Sequence, residues 1–193
     1  MTEIEEILKE EREELKDTEL CRNATNFVTL RGSRDPRFVF VGEAPGAEED
    51  KQGKPFVGRA GKLLDDWIEG LGFEESEYAI TNVVNCRPPE NRTPTKKESE
   101  KFGEWLWKEL EALEPDFIFP LGKTATEFLL PKTRNMPFLK GACYSAFNSD
   151  HGKVIPLPHP AYALRNGGFP LPYEEIKEEM KKERSKKSLE DFV

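Results

Sequence analysis

Apolar residues fall along this chain in two rhythms that alternate. In residues 1–16, Ile4, Leu8 and Leu15 stand on one side of a charged stretch, the spacing of an amphipathic helix. Residues 37–42 (RFVFVG) form a short, wholly apolar run that ends in Gly-Glu-Ala-Pro-Gly, a turn that cannot continue a strand. Ala60, Leu63, Leu64, Trp67, Ile68 and Leu71 then recur at helical spacing and stop at Gly72. Residues 78–84 (YAITNVV) predict a second strand. Thr95 and Glu98 make a capping box behind Pro94, opening a helix that carries Phe102, Leu106, Leu110 and Leu113. Residues 117–121 (FIFPL) predict a third strand, followed by Gly122 and a short helix ending at Pro131. Residues 153–157 (KVIPL) predict a fourth, followed by Pro158-His159-Pro160.

Strands alternating with helices predict an α/β fold, a three-layer αβα sandwich around a central, mainly parallel four-stranded sheet. No repeat or linker divides the chain, so residues 1–193 read as one domain with a charged tail over about 174–193. In such sheets ligands bind outside the carboxyl ends of the strands. Residues 42–46, Asn82, Gly122-Lys123 and His159 therefore converge on one rim.

Charge changes this picture little. The net charge of −8 argues against nucleic acid only if it is evenly spread. The acids cluster in the first 19 residues and in 174–183, whereas Arg87, Arg92, Lys96, Lys97, Lys123, Lys140 and Arg165 lie between. Distribution, not total, decides the partner. The absence of any long apolar run and the acidic start predict no membrane span and a cytoplasmic protein. Cys21, Cys86 and Cys143 are an odd set without a CxxC pair, and suggest neither a disulfide framework nor a zinc ribbon.

Each rim residue has a plain and a chemical reading. Gly42 and Gly46 bracket either a tight turn or a close backbone approach to a ligand. Glu43 stands at a strand end, where a carboxylate can hold water or face developing positive charge. Phe56 is a core plug or a stacking surface. Asn82 lies in a strand that should be buried, and an unpaired buried amide costs about 1–3 kcal/mol. Its donor and acceptor, side by side, also suit a nucleobase edge. His159, stiffened by two flanking prolines, reads as functional; His151 reads as solvated. The basic loop with Arg87 and Arg92 is a phosphate contact or a solvated loop.

Three segments in order, GEAPGAEEDKQGKPFVGRAGKLL (42–64), ITNVVNCRPPENRTPT (80–95) and LPHPAYALR (157–165), resemble the family 4-type uracil-DNA glycosylases. The resemblance implies excision of flipped-out uracil, with Phe56 stacking on the base, Asn82 reading its edge and His159 donating to O2. It places Glu43, with Gly42 and Ala44 of the turn, near the attacking water and the sugar. It sets Glu49 where thymine's methyl is excluded, and Arg165 in the loop that presses on DNA; Arg87, Arg92 and Lys123 are read from their charge as further DNA contacts. Alternatives within the same fold are a glycosylase for another deaminated base and a binder without turnover. The family usually holds a [4Fe–4S] cluster through four cysteines, and those positions here are Leu15, Thr18, Cys86 and Phe102, with Cys21 three residues away. One thiolate cannot hold such a cluster, so no iron–sulfur cofactor is expected. The last eight residues, KKSLEDFV, are similar to a sliding-clamp binding box through Leu189 and Phe192, and read equally as a charged tail.

Overall fold

The computed structural model describes residues 2–130, 144–145, 152–168 and 170–190. The strands are β1 (Arg31–Gly32), β2 (Phe38–Gly42), β3 (Tyr78–Asn82), β4 (Phe117–Pro120), β5 (Tyr144–Ser145) and β6 (Lys153–Val154). The helices are α1 (Glu3–Leu15), α2 (Glu19–Arg22), α3 (Ala47–Gln52), α4 (Arg59–Leu71), α5 (Lys96–Leu113), α6 (Lys123–Leu129), α7 (Pro160–Arg165) and α8 (Tyr173–Glu190). One sheet runs β1-β3-β2-β4-β6-β5. Its four inner strands are parallel and fall in the four apolar runs, although the fourth, expected over 153–157, is a strand only at Lys153–Val154 and continues through an isolated bridge from Leu157 to Leu121. The sheet nevertheless has six strands, because β1 and β5 pair antiparallel at its two edges. Each edge strand is two residues long, too short to show the two-residue alternation by which a strand is read from sequence.

Alternation along the inner strands divides the core into two layers. Val39 and Val41 of β2 face a cluster with Leu8, Leu15, Phe102, Leu106 and Leu110 from α1 and α5. Phe38 and Phe40 face the opposite side, against Leu64, Trp67 and Ile68 of α4 and Ile176 of α8. Successive side chains on a strand point to opposite faces, so helices must cover both. The expected helix limits hold closely. Gly72 ends α4 in the left-handed conformation (φ 77°), and the Thr95–Glu98 capping box is formed in both directions. The C-terminal segment is less detached than its charge suggests, since Leu171, Ile176 and Met180 are buried.

Two features were not expected. Cys21 of α2 and Cys86 form a disulfide across 65 residues of chain. Spacing along the sequence gives no sign of it, because only the packing of α2 beside the segment after β3 brings the pair together. The second is a pair of buried carboxyls. Glu11 of α1 and Glu109 of α5 lie against each other, with Thr81 donating to Glu109 (3.2 Å) and Asn85 to Glu11 (3.4 Å). As a carboxylate, Glu11 leaves Oε1 without a donor, and a proton held between the two carboxyls supplies one.

Burial raises both carboxyls above the usual range; the neighbouring Glu109 adds to the rise of Glu11, and hydrogen bonds with Glu11, Thr81 and Asn85 oppose but do not cancel that of Glu109. A raised folded-state pKa gives stability that is complete on the acid side and is lost as pH rises through the raised value. We therefore expect the urea midpoint to be higher near about pH 5.5 than near about pH 8, and the difference to shrink in Glu109→Gln. A midpoint that does not change between the two pH values in the wild type would contradict the shared proton.

Candidate active site

The carboxyl ends of β2, β3 and β4 open on a cavity of about 500 Å3. Gly42 and Asn82 are neighbours in the sheet register. A Cβ on Gly42 would fall 2.3 Å from Asn82 Oδ1 and 2.6 Å from the Phe56 ring. The missing side chain is what lets amide and ring meet. Asn82 is 2% exposed, and its Oδ1 is buried with no hydrogen-bond partner. Both Asn82 and Phe56 line the cavity.

The turn carrying Phe56 is fixed by Glu49. Its Oε1 accepts from the backbone N–H of Val57 (3.0 Å) and Gly58 (2.8 Å), while Oε2 lies toward Gly46 at the cavity wall. Phe56 itself sits at φ 53°, the left-handed region that a bulky side chain rarely adopts. Glu43, on the turn after β2, accepts a short hydrogen bond at Oε2 from the Thr124 hydroxyl in the first turn of α6.

His159 caps α7, accepting from Ala161 N–H at Nδ1 (3.1 Å). That bond leaves the proton of a neutral imidazole on Nε2, as a donor. Burial and the nearby Arg165 lower its pKa to about 4, so the ring is neutral at physiological pH. Its ring centroid lies 6.1 Å from that of Phe56. Gly122, at φ 85°, sits directly under the His159 Cβ, where a side chain would collide (2.8 Å).

Cations ring the opening. Arg92, Lys123 and Arg165 line it and are exposed. Arg92 makes a bidentate pair with Glu98 (2.7 and 2.8 Å), which holds that carboxyl down to about 2. Arg87 does not reach the cavity; it donates to Asn91, which does (2.7 Å). The structure thus brings together Glu43, Ala44, Glu49, Phe56, Asn82, Lys123, Arg92, Arg165 and His159, with Gly42 behind them. Thr124 was missed. It directly follows the Gly122-Lys123 pair at a strand end, the one sequence signal that could have found it. Of the tail, the backbone of Leu189 lies in the last turn of α8; its side chain and Phe192 lie outside what the structure describes, as do Lys140, Cys143 and His151.

The positions that the resemblance assigns to cluster ligands do not fit iron. Leu15 and Phe102 are core residues at 0% and 1% exposure. Thr18 is committed to capping α2 and to the Leu15 carbonyl, and the Cys86 sulfur is bonded to Cys21.

The cavity thus combines a neutral donor, a buried amide and an aromatic face behind a rim of cations, groups suited to hold one planar polar ring beside an anionic chain. Residues 31–184 match the model of the uracil DNA glycosylase superfamily, and the chain belongs to that superfamily. Within it the chain is similar to type-4 uracil-DNA glycosylases. That of Thermotoga maritima is 43% identical over 165 residues, 85% of each chain. That of Archaeoglobus fulgidus is 41% identical over 151 residues, 76% of each. That of Saccharolobus solfataricus is 35% identical over 198 residues, covering 97% of this chain and 91% of its own.

Proposed function

We propose that this protein removes uracil from DNA by hydrolysing its N-glycosidic bond, leaving an abasic site for base-excision repair. The observation that carries the reading is the buried, unpartnered Asn82 Oδ1 beside the Phe56 ring. A flipped uracil stacks on Phe56 and gives its N3–H to that oxygen, while its O4 accepts from the amide nitrogen. Cytosine presents the opposite pair, an acceptor at N3 and a donor at N4, and is refused. As the C1′–N1 bond breaks, its electron pair passes to the base, and negative charge reaches O2. His159 Nε2–H donates there. Positive charge on the sugar faces Glu43, oriented by Thr124, and water supplies the new C1′–O bond, losing a proton to solvent while the departing uracil anion takes one up. Arg92, Lys123 and Arg165 hold the phosphates flanking the flipped nucleotide.

We infer that catalysis needs no iron–sulfur cluster, given Leu15, Thr18 and Phe102 at the positions the resemblance assigns to cluster ligands and the Cys86 sulfur bonded to Cys21. The test is a labelled uracil oligonucleotide incubated with protein in EDTA and then treated with alkali. Strand scission at the uracil is expected. Absence of scission by folded protein on both single- and double-stranded substrate overturns the reading.

A DNA substrate favours a cytoplasmic, nucleoid-associated protein, and no described helix is long and apolar enough to cross a membrane. For the tail, Leu189 and Phe192 have the spacing of a sliding-clamp box. Deleting residues 186–193 should abolish retention on immobilised clamp and leave cleavage of short oligonucleotides intact; retention unchanged by the deletion removes the clamp from the account.

A further inference from the structure

The Phe56 backbone is held in a conformation it would not keep unaided. At φ 53° it lies in the left-handed region, where the Cβ of a non-glycine residue is crowded. Its ring nevertheless has to stay flat beside Asn82 for a base to stack. Glu49 fixes the two amides that follow. The carbonyl of Phe56 itself is fixed from elsewhere. Arg31, 25 residues upstream, donates from Nη1 to Phe56 O at 2.9 Å. Its Nη2 makes a short ion pair with Asp65 on α4. The Arg31 side chain is 25% exposed, and Arg31 does not line the cavity.

Arg31 comes from β1, the two-residue edge strand that pairs Arg31 with Ile80 of β3. The same β3 carries Asn82 at its carboxyl end, two residues beyond Ile80. The guanidinium therefore ties the stacking turn to the strand that bears the reading amide. Gly61 of α4 packs so closely on the same carbonyl that a Cβ there would fall 1.9 Å from Phe56 O. A carbonyl packed against a helix and held by a fixed planar donor has little room to rotate. Lysine has no second donor in that plane with which to bridge Phe56 O and Asp65.

We propose that Arg31 is a positioning residue of the base-stacking platform, setting the Phe56 ring against the base through its bond to the Phe56 carbonyl. The proposal rests on the uracil-excision reading for its kinetic consequence, but not for its structural one. The experiment compares wild type, Arg31→Ala, Arg31→Lys, Asp65→Asn, Phe56→Ala and the double variant Arg31→Ala/Phe56→Ala. Two readouts are taken: KM and kcat on a uracil oligonucleotide with the inhibition constant of free uracil, and the NMR resonances of a selectively labelled Phe56.

Arg31→Ala should raise KM and the uracil inhibition constant by about tenfold, because a small misplacement at a binding surface is costly. It should change kcat less. Arg31→Lys should recover only part of the loss, and Asp65→Asn should produce a smaller loss of the same kind. In the Phe56→Ala background the Arg31 effect should fall below about twofold, because the two residues act through one another. The Phe56 resonances should shift in Arg31→Ala whether or not the protein turns over. Equal effects of Arg31→Ala in both backgrounds overturn the proposal, as does a lowered salt dependence marking a phosphate contact, or Phe56 resonances unchanged in a folded variant. An inactive wild type in which those resonances still shift overturns the excision reading and leaves the positioning role standing.

Discussion

Asn82→Ala and His159→Ala should each lower kcat/KM on uracil-containing DNA by about 10³-fold, through different steps. His159 Nε2–H meets O2 only as charge collects there, so its loss should fall on kcat, with KM almost unchanged. A removed transition-state donor of this kind costs about 10²–10³-fold in other enzymes. The Asn82 amide contacts the base in the ground state as well. Its loss leaves the uracil N3–H and O4 buried without partners, so both kcat and KM should suffer, and discrimination against cytosine should weaken. Because Asn82 is 2% exposed, a thermal melt must accompany the kinetics to show that the variant is folded. Either folded variant retaining activity within about tenfold of wild type would displace that residue from its assigned role.

How far the chain could be read in advance depended on whether a feature is local. Strands β2 and β4 lie in unbroken apolar runs and the helices α1, α4 and α5 repeat their apolar residues over several turns, with Gly72 ending α4 and Thr95 opening α5. The rim followed from topology, since strand ends must share one side of a parallel sheet. What escaped was contact between distant segments. Nothing around Arg31 signals its bond to Phe56, and the two-residue strand that presents it has no period. Thr124 is an ordinary helix-start residue until Glu43 is placed beside it. Glu11 and Glu109 sit at helical spacing among many exposed glutamates, and only packing of α1 on α5 turns that pair inward. Arg87, read with Arg92 as a DNA contact, also donates to Asn91 of the cavity lining, a bond between loop residues that no sequence pattern announces.

Reducing the Cys21–Cys86 bond should destabilise the fold by up to about 4 kcal/mol, on the chain-entropy argument for a closed loop of 65 residues. For a chain of this size that corresponds to a fall in Tm of about 10 °C. The bond joins α2 to the residue just before the loop in which Pro88, Asn91, Arg92 and Thr93 line the cavity. Its loss should therefore loosen one wall of the site as well as the N-terminal helices. We expect a dithiol reductant, or Cys21→Ser with Cys86→Ser, to raise KM for DNA more than it lowers kcat. Arg92, in that loop, is placed to contact phosphate, whereas His159 and Asn82 are carried by other segments. Titration of denatured protein should find one thiol before reduction and three after, from the three cysteines of the chain. Three thiols without reduction would show the pair to be unbonded. A bonded pair whose reduction leaves Tm unchanged would mean that the packing of Leu15, Leu20 and Phe102 holds the N-terminal segment without help. The core around the pair would then carry the whole of the constraint, and the sulfurs would be only neighbours within it.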